Sequence, residues 1–178
     1  MKQSEPILYP IADGIACWYL PQPDNLNQAL LDGYYRHKDE PDLRRSHEFE
    51  GRYENIYIPE ALIPEIRPVL NTAIAGTRQL LGESQPLKAG LWFNAMEPGH
   101  RTLMHRHDDD DELMSAVYYV KVPRDSGDLI LVQQGEPIRV QPEAGKMVFF
   151  PPALPHEVTV NESTEMRLSL GINIGPAE

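Results

Sequence analysis

Three histidines have the types and spacing of metal ligands. His105 and His107 flank one residue, and in an extended strand the period of two turns both imidazoles to the same face. Two imidazoles on one face begin a site for a first-row transition metal, because imidazole suits Fe, Zn, Cu and Ni. A third ligand must come from elsewhere, and His156, in Pro155-His156-Glu157-Val158 at the opening of a later strand-like run, is the best placed. A lone His-x-His is equally at home on a polar strand end, so its weight depends on the residues downstream. Eleven residues after His156 stands Arg167-Leu168-Ser169. By alternation Arg167, Ser169, Gly171 and Asn173 share one face, while Leu168, Leu170, Ile172 and Ile174 supply an apolar core face. A guanidinium there can bind a carboxylate through two parallel hydrogen bonds, and the serine hydroxyl adds a further donor. Isolated, an Arg-x-Ser pair reads as a surface feature; downstream of a metal-type histidine it reads as a carboxylate site.

The elements that must position these residues are short strands. After residue 86 the runs LKAGLWFNAM, TLMHRH, LMSAVYYVKV, DLILVQ, PIRVQ, KMVFF, HEVTV and MRLSLGINI are separated by Pro, Gly and Asp turns. Strands at this close spacing predict an antiparallel sandwich or barrel. The N-terminal half adds ILYPI, ACWYL and YENIYI and two amphipathic helices. One helix is predicted over 24–37, with an Asp/Asn cap. The other is predicted over about 64–81, with Pro64 and Pro68 in or near its first turn and Gly82 as its stop. The predicted fold is therefore mainly β, with residues 1–85 as a helical and strand extension packed on one sheet and residues 86–178 as the core, all in a single domain. His37 and His47 lie in RHKDEPDLRRSHEFEGR, which reads as an exposed loop, either a plain connection or a substrate lid. Trp92 and Asn94 share a face of their strand and read either as pocket-lining residues or as core and edge residues, and no role is assigned to them.

Composition narrows the function. With 178 residues, 41% of them hydrophobic, the chain supports one sizeable core. Its formal net charge of −11 argues against nucleic acid or an anionic membrane as partner, since both reward basic patches. No apolar run approaches the roughly 18 residues of a membrane span, and MKQSEPILYPIADG is a poor signal peptide. One cysteine, Cys17, excludes an internal disulfide framework and a Cys-rich zinc site. A cytoplasmic protein is expected. The acidic run Asp108 to Glu112 reads as a solvated loop, or as a negative rim acting within a Debye length of roughly 8–10 Å.

In this order the motifs resemble the 2-oxoglutarate/Fe(II)-dependent oxygenase superfamily. The resemblance rests on Pro98-Gly99-x5-His105-x-His107, the LMSAVYYVKVP run, a Ser-Gly-Asp turn, PEAGKMVFF, Pro155-His156 and Arg167-x-Ser169, and it covers about residues 90–174. It implies a double-stranded β-helix, or jelly roll, and an enzyme that is a dioxygenase using Fe(II), O2 and 2-oxoglutarate. Such an enzyme hydroxylates a small-molecule or peptide substrate and releases succinate and CO2. It implies His105, His107 and His156 as metal ligands, with Arg167 and Ser169 on the distal carboxylate of 2-oxoglutarate. Tyr119, in phase with Ser115 and Val117, looks like the tyrosine that donates to the same carboxylate. One departure stands out: His107 occupies the position where the family carries a carboxylate. Either the metal sees three imidazoles, or the frame shifts so that His107-Asp108-Asp109 is the His-x-Asp and His105 is a neighbour.

Two other classes compete. Gly99-x5-His105-x-His107-x4-Glu112 matches much of the first cupin motif, and Gly145-x5-Pro151-x-Ala153-x2-His156 approximates the second, with Glu112 as a fourth ligand. A cupin has no need of Arg167-x-Ser169, and Tyr119 stands where its motif has glycine. The third class is a metal-free jelly roll acting as a binding module, without affinity for metal or 2-oxoglutarate.

Overall fold

A computed structural model describes residues 5–107 and 111–178. Among the described residues twelve strands form two antiparallel sheets. The larger has the order β1-β2-β10-β7-β12-β5-β4-β3, built from β1 (Tyr9–Ala12), β2 (Ile15–Tyr19), β3 (Arg44–Phe49), β4 (Arg52–Tyr57), β5 (Leu87–Met96), β7 (Met114–Lys121), β10 (Lys146–Phe150) and β12 (Arg167–Pro176). The smaller has the order β6-β11-β8-β9, from β6 (Thr102–His105), β8 (Leu129–Gln133), β9 (Glu136–Val140) and β11 (His156–Val158). Helices α1 (Asp24–His37) and α2 (Ile66–Leu81) complete the chain. Among the described residues no helix is long and apolar enough to cross a membrane.

The two faces of the large sheet bury different things, and the period of two decides which residue goes where. Along β7 and β10, Tyr118, Met147 and Phe149 pack with Leu30 and Tyr34 of α1 and with Val69, Leu70 and Ala73 of α2. Their neighbours Tyr119, Val148 and Phe150 point the other way and pack with Leu129 and Leu131 of β8 and Val140 of β9. The central strands are thus buried on both faces, which is why KMVFF and MSAVYYV read as nearly continuous apolar runs. Along β12, Leu168, Leu170, Ile172 and Ile174 enter the helix-side core as alternation requires.

The jelly-roll architecture and the helices packed on one sheet are as the sequence predicts. The N-terminal strands extend the core sheet directly: β2 pairs with β10, and β4 joins β5 through Ile56 and Phe93. Two details differ. The helix over 24–37 has no side-chain cap; Pro23 occupies that position and Asp24 lies in the first turn, where its charge complements the positive end of the helix dipole. The second helix starts at Ile66, so Pro64 precedes it and only Pro68 falls in its first turn. The stretch read as a loop carries the end of α1 and all of β3 instead. His37 closes α1 against Glu40, and His47 lies in β3 with φ 57°.

Candidate active site

β11 lies antiparallel to β6 with His156 directly opposite His105. Cross-strand partners share a face, so their imidazole rings meet at 4.3 Å between centroids. His107 arrives by a different route from the one its spacing suggests. β6 ends at His105, and His107 lies beyond it, pinned by its backbone N–H donating to the carbonyl of Pro152 at 2.9 Å. Its ring stands 5.6 Å from that of His105 and 5.3 Å from that of His156. One ring nitrogen from each histidine lies within 4.8 Å of the other two, and among the described residues this is the group of side chains able to hold a metal ion.

Hydrogen bonds decide which nitrogen faces inward. Nδ1 of His105 contacts the carbonyl of Leu103 at 2.8 Å, and Nδ1 of His156 contacts that of Leu154 at 2.8 Å. Nδ1 of His107 faces both carboxylate oxygens of Glu112, at 3.0 and 3.2 Å. Carbonyl and carboxylate oxygens only accept, so each Nδ1 carries the proton and each Nε2 keeps a bare lone pair. His156 is buried, which pushes its pKa down to about 4; the Leu154 carbonyl opposes that shift, and the other two histidines add to it. At neutral pH it is an uncharged imidazole, the form a metal requires.

These rings open onto a cavity of about 850 Å³. The alternating set Arg167, Ser169, Gly171 and Asn173 of β12 lines it, together with Tyr119 of β7. Arg167 is 1% exposed, yet no ion pair holds it among the described residues. Its Nη1 donates to the carbonyls of Ser126 and Gly127 at 3.2 and 2.6 Å, and its Cζ lies 5.1 Å from the centre of the Tyr119 ring. Burial pulls the guanidinium pKa down and pushes that of the Tyr119 hydroxyl up. Among the described residues, Arg167 Nε, the Tyr119 hydroxyl, Thr102 Oγ1 and Asn173 Oδ1 are buried and find no hydrogen-bond partner, and all four residues line the cavity. Each such atom costs about 1–3 kcal/mol while unsatisfied. A buried cation with a tyrosine hydroxyl beside it fits a carboxylate, and three bare imidazole nitrogens fit a divalent first-row metal with coordination positions left open.

Several cavity residues escape a reading of the sequence. The β3–β4 hairpin forms one wall through residues such as Arg44, His47, Asn55 and Tyr57. His47 Nδ1 takes hydrogen bonds within that hairpin, from Ser46 Oγ at 2.9 Å and Asn55 Nδ2 at 3.1 Å. Trp92 and Asn94, unlike these, are legible as pocket-lining candidates from their shared strand face; both line the cavity, with the Trp92 ring 6.4 Å from that of His107. Trp92 lies across Gly171, where a Cβ would stand 2.3 Å from the indole; only glycine leaves room for the ring. Glu112 does not join the three histidines as a cupin glutamate would; it sits behind His107. Asp109, the ligand of the shifted frame, lies outside the described residues with Asp108 and Asp110, while His105 is itself part of the cluster.

The family model described as the 2OG-Fe(II) oxygenase superfamily matches residues 91–175. No curated protein sequence matches the chain. Among solved structures, a Pseudomonas putida prolyl-4-hydroxylase aligns at TM-score 0.65 and 21% identity, covering 94% of this chain and 90% of that one. The α-ketoglutarate-dependent epimerase SnoN from nogalamycin biosynthesis aligns at TM-score 0.71 and 18% identity, covering 93% and 78%. A Trichoplax adhaerens prolyl hydroxylase aligns at TM-score 0.68 and 12% identity, covering 93% and 84%. At these identities the structures establish the shared fold. Residues 91–175, which hold His105, His107 and His156 together with Tyr119, Arg167 and Ser169, thus match the 2OG-Fe(II) oxygenase superfamily, the non-haem iron oxygenases that use 2-oxoglutarate.

Proposed function

We propose that this enzyme hydroxylates a C–H bond of a small-molecule or peptide substrate, with His105, His107 and His156 holding Fe(II) and with Arg167, Ser169 and Tyr119 binding the distal carboxylate of 2-oxoglutarate. The observation that carries this reading is the pairing, in one cavity, of three Nε2 lone pairs with a buried guanidinium that has no carboxylate partner among the described residues. Bound iron and 2-oxoglutarate would together activate O2, with one oxygen atom going to the substrate carbon and the other to succinate as CO2 leaves. Everything else falls to the chain. The Nδ1–H bonds to Leu103, Leu154 and Glu112 hold the rings in the tautomer that ligates. Arg167 and Tyr119 orient the co-substrate, and they do so from a site already desolvated, so the charge–charge attraction is weakly screened. Phe150, packed edge-on to His156 at 4.8 Å, keeps water from one side of the cluster.

The substrate enters beside the β3–β4 wall, Trp92 and Asn94. Support for both substrate classes comes from the fold neighbours: one prolyl hydroxylase is complexed with a peptide fragment, and SnoN is known in complex with Fe3+, α-ketoglutarate and nogalamycin RO. Anaerobic addition of Fe(II) and then 2-oxoglutarate tests the reading. A weak visible charge-transfer band is expected, dependent on both additions and lost at the same co-substrate concentration in Arg167→Ala. Iron-loaded protein that gives no band contradicts the reading and favours a cupin-type metal protein; protein that takes up no iron favours a metal-free binding module.

A further inference from the structure

In the three-histidine reading His107 stands where the family carries its ligating carboxylate, and Glu112 contacts the Nδ1 of that imidazole. Its side chain is 4% exposed. Its partners are His107 Nδ1, at 3.0 and 3.2 Å, and the Ser115 hydroxyl, which donates to it at 2.6 Å. Ser115 is itself buried at 1% exposure, and its oxygen also lies 3.2 Å from His107 Nδ1. Burying a carboxylate is expensive unless its oxygens are satisfied, and among the described residues His107 and Ser115 satisfy them.

The backbone holds Glu112 in place. Leu113 N–H donates to the carbonyl of Ile174 at 2.8 Å, which ties the segment to the end of β12. The Asp111 carbonyl passes so close to Gly175 that a Cβ there would stand 2.2 Å from it. The chain therefore crosses β12 at a point where a side chain is absent, and Glu112 turns inward under His107 while Asp111 stays exposed.

We propose that Glu112 is a positioning residue that supplies, through His107, the negative charge that other members of the family place directly on the metal; this rests on the three-histidine ligand set proposed for the iron. The charge count is simple. A divalent metal with two imidazoles, one carboxylate and doubly charged 2-oxoglutarate sums to −1. Three imidazoles bring the sum to zero, and one carboxylate hydrogen-bonded to a ligating ring returns it to −1. The same contact fixes the His107 proton on Nδ1 and makes the ring a stronger donor.

The test is Co(II) and Fe(II) affinity of metal-stripped protein, read by anaerobic titration and by the ligand-field bands of Co(II), with no turnover required. Glu112→Gln is expected to weaken affinity by about 10- to 100-fold. In a His107→Asp background, where a carboxylate can reach the metal directly, the same change is expected to have no effect beyond about twofold. Wild-type affinity in Glu112→Gln overturns the proposal, as does an equal loss in both backgrounds. His156→Ala separates the two levels: if it leaves affinity intact, the ligand set is wrong; if it abolishes binding while Glu112→Gln does nothing, only the role of Glu112 falls. Independently of any variant's folding, ¹⁵N spectra of the metal-free wild type should show His107 protonated at Nδ1. Protonation at Nε2 alone overturns the proposal.

Discussion

Arg167 is the residue that separates this site from a generic metal cluster. A guanidinium at 1% exposure with no carboxylate beside it among the described residues is costly in a protein that binds nothing there. Among the described residues its Nε finds no hydrogen-bond partner, and neither does the hydroxyl of Tyr119, whose ring it lies over. Charged hydrogen bonds of this kind contribute about 1.5–3 kcal/mol each, so Arg167→Ala should weaken 2-oxoglutarate binding at least 10-fold by calorimetry on Co(II)-loaded protein. Tyr119→Phe removes one neutral donor and should cost less, about 1 kcal/mol or roughly fivefold. The order of the two effects is the informative part: a larger loss at Tyr119 than at Arg167 would contradict the assignment of the guanidinium as the main anchor.

At the scale of elements, the cavity depends on close passage between strands and on a helix tied to the sheet. Gly171→Ala would drive a methyl into Trp92, whose indole forms the wall beside His107. Overpacking of this kind costs about 1–3 kcal/mol, and it should lower Tm and impair substrate turnover while leaving Co(II) affinity within a few-fold. On the other side of the sheet, Tyr118 donates to Asn27 of α1 at 2.6 Å in a buried contact. Tyr118→Phe leaves that amide oxygen unsatisfied, at about 1–3 kcal/mol, which for a chain of this size lowers Tm by about 2–4 °C per kcal/mol. Calorimetry checks both values.

These elements also mark where the sequence is legible. Leu168, Leu170, Ile172 and Ile174 announce one face of β12, so Arg167, Ser169 and Asn173 follow on the other without ambiguity. His105 and His156 meet because β6 and β11 pair, which their strand patterns allow. His107 meets them because a loop is pinned at Pro152, which no periodicity encodes. β3 is hidden because RRSHEF is polar at five of its six positions: it is an edge strand whose side chains face a cavity and solvent rather than a core. Glu112 is hidden inside an acidic run, since its inward turn depends on the crossing at Gly175.

For the whole molecule, the sheet and the cores run through both halves of the sequence. β2 and β4 lengthen the core sheet, and α1 and α2 seal its outer face against β5, β7, β10 and β12. We propose that residues 1–85 and 86–178 unfold as one cooperative unit. Differential scanning calorimetry should then give a single transition whose calorimetric and van't Hoff enthalpies agree. Metal and 2-oxoglutarate should move that whole transition upward, by about 2.7 kcal/mol of stability at a ligand concentration 100 times Kd. Two resolved transitions, only one of which responds to metal, would instead make the N-terminal part a separate body.

The most direct test of the proposed chemistry is an anomalous difference map at the iron edge, from crystals of the protein loaded anaerobically with Fe(II) and 2-oxoglutarate. One strong peak is expected, bonded to Nε2 of His105, His107 and His156, with the far carboxylate of 2-oxoglutarate against Arg167. A peak ligated by Asp109 in place of His105, or a co-substrate carboxylate that ignores Arg167, would contradict that chemistry.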